Sequence, residues 1–153
     1  PVSGIIWIIL TLVAIFVLKY TSFGRKLYAI GGNPQSAHLS GIKINRYIIA
    51  TFVISGALSG LAGVILASWL RVGQPTAGTG IELDAIASVV LGGTSLFGGK
   101  GGVGGTFIGV VLMSIIVNIF NLVGLSSYYQ SIFMGMIIVA ALVLNRVVIS
   151  KHD

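Results

Sequence analysis

The stretch YIIATFVISGALSGLAGVILASWL, residues Tyr47–Leu70, decides the fold of this chain. It contains no charged side chain, and at about 1.5 Å per residue it would form a helix roughly 36 Å long. The hydrocarbon core of a bilayer is about 30 Å thick, so such a helix crosses it with some tilt. The stretch therefore predicts a transmembrane helix.

The composition of the whole chain agrees with a membrane location. Of its 153 residues, 56% are hydrophobic and 8% are charged, and only three are acidic. So few charged side chains cannot cover a water-facing surface, which excludes an ordinary soluble domain. The chain has no cysteine, which excludes disulfides and thiolate metal sites.

Other apolar segments flank this span. With these segments included, the sequence predicts membrane segments at about 4–18, 47–70, 81–97, 106–123 and 128–144. The third is short and interrupted by glycine. Thr79 and Glu82 before it have the Thr-x-x-Glu spacing of a capping box, so we expect Thr79 to cap a helix that runs to about Leu91. The predicted fold class is all-α, a polytopic membrane helical bundle of about five membrane segments.

The basic residues orient these segments. The loop 19–46 holds five Lys or Arg residues and no acid, and such loops face the cytoplasm. With five crossings, Lys100 and the basic tail with Arg146 and Lys151 also fall inside, and Arg71 falls outside. If segment 81–97 instead re-enters and leaves on the same face, those three residues fall outside and the charge bias nearly vanishes, so five crossings are favoured. We therefore expect a cytoplasmic loop at 19–46.

Inside this loop, the segment GGNPQSAHLSG has both the start signal and the stop signal of a short helix. Asn33 suits the N-cap, Pro34 suits the first helical position, and Gly41 can adopt the left-handed conformation that ends a helix. Helices of two turns are marginal in water, so packing has to hold this one. The segment is either a solvated turn of the loop or a helix that docks in the groove of a partner.

Three long strings carry a family resemblance: FGRKLYAIGGNPQSAHLSGI, QPTAGTGIELDAIASVVLGGTSLFGGKGGVGGTFIG and NLVGLSSYYQ. They resemble the permease subunit of sugar-type ABC importers, in particular the ribose permeases. The resemblance runs from Thr21 to about Val143 and corresponds to the C-terminal half of such a permease.

The resemblance implies a multi-pass subunit of the bacterial inner membrane that pairs with a second permease copy. Cytoplasmic ATPase subunits would drive it, and an extracytoplasmic binding protein would deliver the sugar. ATP would be used by the partner, so we expect this chain to bind no cofactor. The basic residues lie between apolar runs and act as topology signals, so we expect no nucleic-acid partner. The short helix would be the coupling helix, and its expected ATPase contacts are Gly31, Gly32, Asn33, Pro34, Ala37, Leu39 and Gly41.

The glycine-rich stretch Gly92–Phe107 contains KGGVGGT, one letter from a variant phosphate-binding loop. Gly105 stands where the phosphate-binding lysine is required, so we do not expect nucleotide binding. Glycines four residues apart instead predict close approach of helices in lipid. The predicted packing positions are Gly56, Gly60, Gly101, Gly105 and Gly109.

Candidate catalytic residues are few. The acids are Glu82, Asp84 and Asp153, and the imidazoles are His38 and His152. On the predicted topology the first two acids lie across the membrane from both histidines, so no triad or carboxylate–histidine metal site is expected. We expect a chain that is not an enzyme.

Ser114, Asn118 and Asn121 are neutral polar residues spaced by four and three, so they share one face of a span. They would suit a wet path for an uncharged sugar, or they would form hydrogen bonds between helices. The overall expectation is the permease subunit of an ATP-driven sugar importer. The alternatives are a non-conducting membrane scaffold and a secondary porter or channel.

Overall fold

The computed structural model describes the backbone of residues 2–150 and the side chains of residues 2–144. The tail residues Lys151, His152 and Asp153 lie outside this range, as does the side chain of Arg146. The described part consists of helices and connecting turns, which confirms the all-α class. The helices are α1 (Val2–Tyr20), α2 (Ser22–Gly32), α3 (Pro34–Leu39), α4 (Ile44–Leu70), α5 (Ile81–Leu91), α6 (Val103–Leu122) and α7 (Ser127–Ser150).

Four helices are long and apolar enough to cross a membrane: α1, α4, α6 and the part of α7 up to Leu144. This confirms a polytopic membrane bundle. Helix α5 has 11 residues and is about 16 Å long, which is short of a hydrocarbon core about 30 Å thick. The predicted segment 81–97 is thus helical only as far as Leu91, and its full crossing stays a prediction.

The start of α5 differs from the predicted capping box. The N-cap is Gly80, with φ 92°, and no side chain caps the helix, so the expected cap at Thr79 was wrong. Gly80 adopts the left-handed conformation and becomes the cap, so the helix begins at Ile81, one residue later than a cap at Thr79 would place it. Glu82 still reaches back, because its carboxylate accepts a hydrogen bond of 3.1 Å from the N–H of Gly80.

The described residues form two compact units, which divide between Thr79 and Gly80. In the first unit, Thr21 makes the corner between α1 and α2. Its hydroxyl donates to the carbonyl of Val17 and accepts a hydrogen bond from the N–H of Gly24. Gly24 lies directly against the backbone of Leu18, where a side chain would not fit. The corner turns α2 toward the start of α4, where the rings of Phe23 and Tyr47 are 5.5 Å apart.

In the second unit, α5 packs against α6 and α7. The buried core consists of Ala87, Met113 and Met134, one residue from each helix. Beside it the backbones of α5 and α6 touch through their small residues. Gly92 lies against Gly105, and Ser88 lies against Gly109. The absence of side chains at these glycines is what lets the short helix α5 sit this close to α6.

Candidate functional site

Helix α3 begins as the sequence predicts. Asn33 has extended backbone angles, and its side-chain oxygen accepts a hydrogen bond of 3.0 Å from the N–H of Ser36. Pro34 occupies the first helical position, where its missing N–H leaves no hydrogen bond unmade. The N-cap prediction for Asn33 is confirmed.

The end of α3 is also confirmed. Gly41 has φ 79°; its N–H donates to the carbonyl of His38 at 2.9 Å, and the N–H of Ile42 donates to the carbonyl of Ala37 at 3.1 Å. This pair of hydrogen bonds is a Schellman motif, which satisfies the last carbonyl groups of the helix. Both ends of α3 are therefore fixed by groups inside the segment.

The two faces of α3 differ in exposure. Ala37 is 4% exposed, whereas Leu39 is 87% exposed. Helix α3 packs against α2 and α4 through its buried side. The expectation that Ala37 contacts a partner does not fit this structure, because Ala37 faces its own chain. The sequence could not decide this orientation, since both residues are small or apolar.

The other expected ATPase contacts lie mostly on the open side. Gly32, Asn33, Pro34, Leu39 and Gly41 are exposed, and Gly31 is half-buried. The prediction omitted three exposed polar residues of α3, which are Gln35, Ser36 and His38. The open face thus consists of an exposed leucine surrounded by hydrogen-bonding groups.

The predicted polar face of α6 is exposed along its length, at Ser114, Asn118 and Asn121. The hydroxyl of Ser114 donates to the carbonyl of Val110 at 2.8 Å, on its own helix. Asn121 accepts a hydrogen bond of 3.0 Å from the side-chain amide of Gln130 on α7. The same amide group also donates to the carbonyl of Leu125. Asn121 therefore forms the interhelical hydrogen bond that was the alternative to a role in the path.

The predicted packing glycines fall into three situations. Gly105 and Gly109 lie against the backbone of α5. Gly101 precedes α6, with φ 134°, and lies against Thr94 in the connecting turn. Gly56 and Gly60 lie on α4, and among the described residues no atom comes within 4 Å of where a Cβ would stand, apart from the helix's own backbone.

Comparison with known proteins gives a consistent set of relatives. The chain is 48% identical to the ribose import permease protein of Bacillus subtilis (strain 168) over 146 residues, which are 95% of this chain and 45% of the relative. It is also 48% identical to the ribose import permease protein of Escherichia coli (strain K12), with 92% and 44% covered. The D-allose transport system permease protein of Escherichia coli (strain K12) is 42% identical, with 97% and 45% covered.

The chain thus spans just under half the length of the curated relatives it matches. No solved structure matches it. The family described as the permease component of branched-chain amino acid transport systems matches residues 2–142. With four membrane-length helices and a match over nearly its whole length, the chain belongs to this family of transport permeases and is a multi-pass protein of the inner membrane.

Proposed function

We propose that the chain acts as the permease subunit of an ATP-driven importer for a ribose-like monosaccharide. The three relatives named above are sugar permeases by name, although the family description refers to branched-chain amino acids. In this proposal the spans form part of the sugar path and ATP is bound by a partner subunit. The chain itself needs no cofactor.

The open face of α3 supports the docking part of this proposal, and Leu39 is the observation that carries it. An isolated helix of six residues is not stable in water. Here it is capped at both ends and packed on one side, and a large apolar side chain is left 87% exposed. An exposed leucine side chain on a rigidly held helix suits insertion into an apolar groove of a cytoplasmic ATPase subunit.

The mechanism we propose is alternating access. Closure of the ATPase subunits would move α3, and the contacts of α3 with α2 and α4 would pass the motion to the start of a membrane span. Asn118 is the best candidate for a sugar contact on α6. Its amide is exposed and, unlike Asn121, forms no hydrogen bond within the described residues. Neutral groups suit an uncharged solute that has to be released again.

Two further partners belong to the proposal. A second permease copy would pack on the open glycine face of α4, where Gly56 and Gly60 leave the backbone accessible. An extracytoplasmic binding protein would deliver the sugar to the opposite side of the membrane from α3.

The docking role is tested by Leu39→Asp in membranes that contain the importer's ATPase subunit. We expect the variant to insert normally but to retain less than a third of the ATPase in pull-down, because a carboxylate cannot enter an apolar groove. Leu96→Asp is the matched control, since Leu96 is also exposed and lies in a turn outside the long helices. Equal retention by Leu39→Asp and wild type would refute docking through α3.

The transport role is tested with the complete importer in proteoliposomes. We expect uptake of ribose that requires ATP and the binding protein. Ribose uptake that continues without ATP would indicate a porter or channel. A complex that forms but carries no sugar would indicate a scaffold.

A further inference from the structure

The first unit carries an excess of positive charge that nothing in its sequence balances. Five basic residues fall between residues 19 and 46, and the first acidic residue of the chain is Glu82. All five basic side chains are exposed. They are Lys19, Arg25, Lys26, Lys43 and Arg46. Cations without counter-ions in the chain attract an external anion.

One of these cations lies over an aromatic ring, and two others lie close in sequence to the residue that carries this ring. The Nζ atom of Lys26 lies 5.5 Å from the centre of the Tyr47 ring. Arg46 precedes Tyr47 in the chain, and Lys43 stands one turn earlier, at the N-cap of α4. The contact between Phe23 and Tyr47 holds α2 in this place. We refer to Lys26, Lys43 and Arg46 as the Tyr47 cluster.

The Tyr47 cluster lies where a membrane span begins. Helix α4 starts at Ile44 and is apolar enough to cross the bilayer. Its first turn therefore lies at the level of the lipid headgroups, and so do the residues that contact this turn. Lys19 is in the last turn of α1, another helix of membrane length, and adds to the positive charge at span ends.

The start of α4 also lacks any negative group of its own. It has no acidic residue in its first turn, and no side chain caps it. Cations at a helix N-terminus are disfavoured by the helix dipole unless an anion offsets them. Both the helix end and the side chains therefore favour the same external anion.

We propose that the Tyr47 cluster binds the headgroups of anionic phospholipids in the adjacent leaflet. The partner is a lipid and not the ATPase, because the cations flank the docking helix without belonging to it. Helix α3 contains no Lys, Arg, Asp or Glu. The charges of the cluster thus lie at the bilayer surface, while α3 has none of these residue types and is exposed for protein contact. The bound lipid would hold the residues that flank α3 in position at the membrane surface.

The test uses native mass spectrometry, in which the full chain is released from detergent micelles and the lipids that stay bound to it are identified. The micelles contain equal amounts of phosphatidylglycerol, which is anionic, and phosphatidylcholine, which has a phosphate but no net charge. We expect the wild type to retain phosphatidylglycerol at least threefold over phosphatidylcholine. The double variant Lys26→Gln/Arg46→Gln should lose most of this preference.

The matched control is Arg71→Gln/Lys100→Gln, which removes the same charge from two exposed residues outside the cluster. It should keep the preference, and so should the charge-preserving swap Lys26→Arg/Arg46→Lys. Equal losses in the two glutamine doubles would mean that net charge alone attracts the lipid, and would overturn the proposal. The proposal is also overturned if the cluster variant keeps its lipid but loses the ATPase in pull-down, since the surface would then belong to a protein partner.

Discussion

Helices α4 and α6 carry glycines at the same spacing, and the structure uses them differently. On α6, Gly105 and Gly109 touch the backbone of α5 inside one unit. On α4, Gly56 and Gly60 face open space among the described residues. The same spacing therefore marks a surface that a backbone can approach, but it does not identify the partner. On α6 the partner is a helix of the same unit, and on α4 we propose a second copy of the chain.

The strongest test of this difference is a large side chain at Gly109. In Gly109→Leu, the new side chain would meet the backbone carbonyl of Ser88 and the backbone nitrogen of Gly92, which cannot rotate away. Overpacking of this kind costs about 1–3 kcal/mol or more. We expect the second unit to be destabilised, measured as a lowered melting temperature by circular dichroism in detergent. Gly104→Leu is the control, because no atom lies within 4 Å of that Cβ position; a similar fall there would contradict the contact.

The counterpart on α4 is Gly60→Leu. We expect no fall in the melting temperature of the single chain, because the site is open. Association between two copies should weaken about tenfold, equivalent to about 1.4 kcal/mol, because leucine blocks close helix approach. Energy transfer between copies labelled with donor and acceptor dyes measures this. Ala62→Leu lies on the other side of the helix and should leave association unchanged. If both variants associate like the wild type, the α4 face is not the interface.

Gly41 extends the comparison, because this glycine is needed for its backbone conformation and not because a side chain would lack room. At Gly41 nothing would touch a new Cβ, but φ is 79°. Gly41→Ala should therefore destabilise the end of α3 by about 1–2 kcal/mol. Faster amide hydrogen exchange at Ile42, whose N–H bonds to Ala37, is the expected signal. In Gly32→Ala, at a helical position with free space, exchange at Ile42 should not change.

The smallest expected effect concerns polar contacts between α6 and α7. Asn121→Leu removes the acceptor for Gln130. Hydrogen bonds between membrane helices average about 0.6 kcal/mol in mutant cycles. We expect a coupling energy of about this size between Asn121→Leu and Gln130→Leu in a double-mutant cycle of unfolding. Additive effects would show that this hydrogen bond does not stabilise the unit.

Local chemistry explains which elements the sequence could predict. The caps of α3 depend on Asn33, Pro34 and Gly41 alone, so their residue types were sufficient. The prediction of the α5 cap was wrong because Gly80, between Thr79 and Glu82, adopts a left-handed conformation that residue spacing does not reveal. The burial of Ala37 depends on how α3 rests on other helices, and no short pattern encodes this. The hydrogen bond of Asn121 likewise depends on a residue of α7, which lies beyond the turn that connects the two helices.

The absence of Lys, Arg, Asp and Glu from α3 separates its chemistry from that of the cations around it. The screening length falls from about 10 Å in 0.1 M salt to about 3 Å in 1 M salt. Salt would therefore weaken exposed charge contacts with lipid while leaving an apolar contact through Leu39 intact. A high-salt wash should remove the lipid and keep the ATPase, so that ionic strength alone distinguishes the two attachments of this loop.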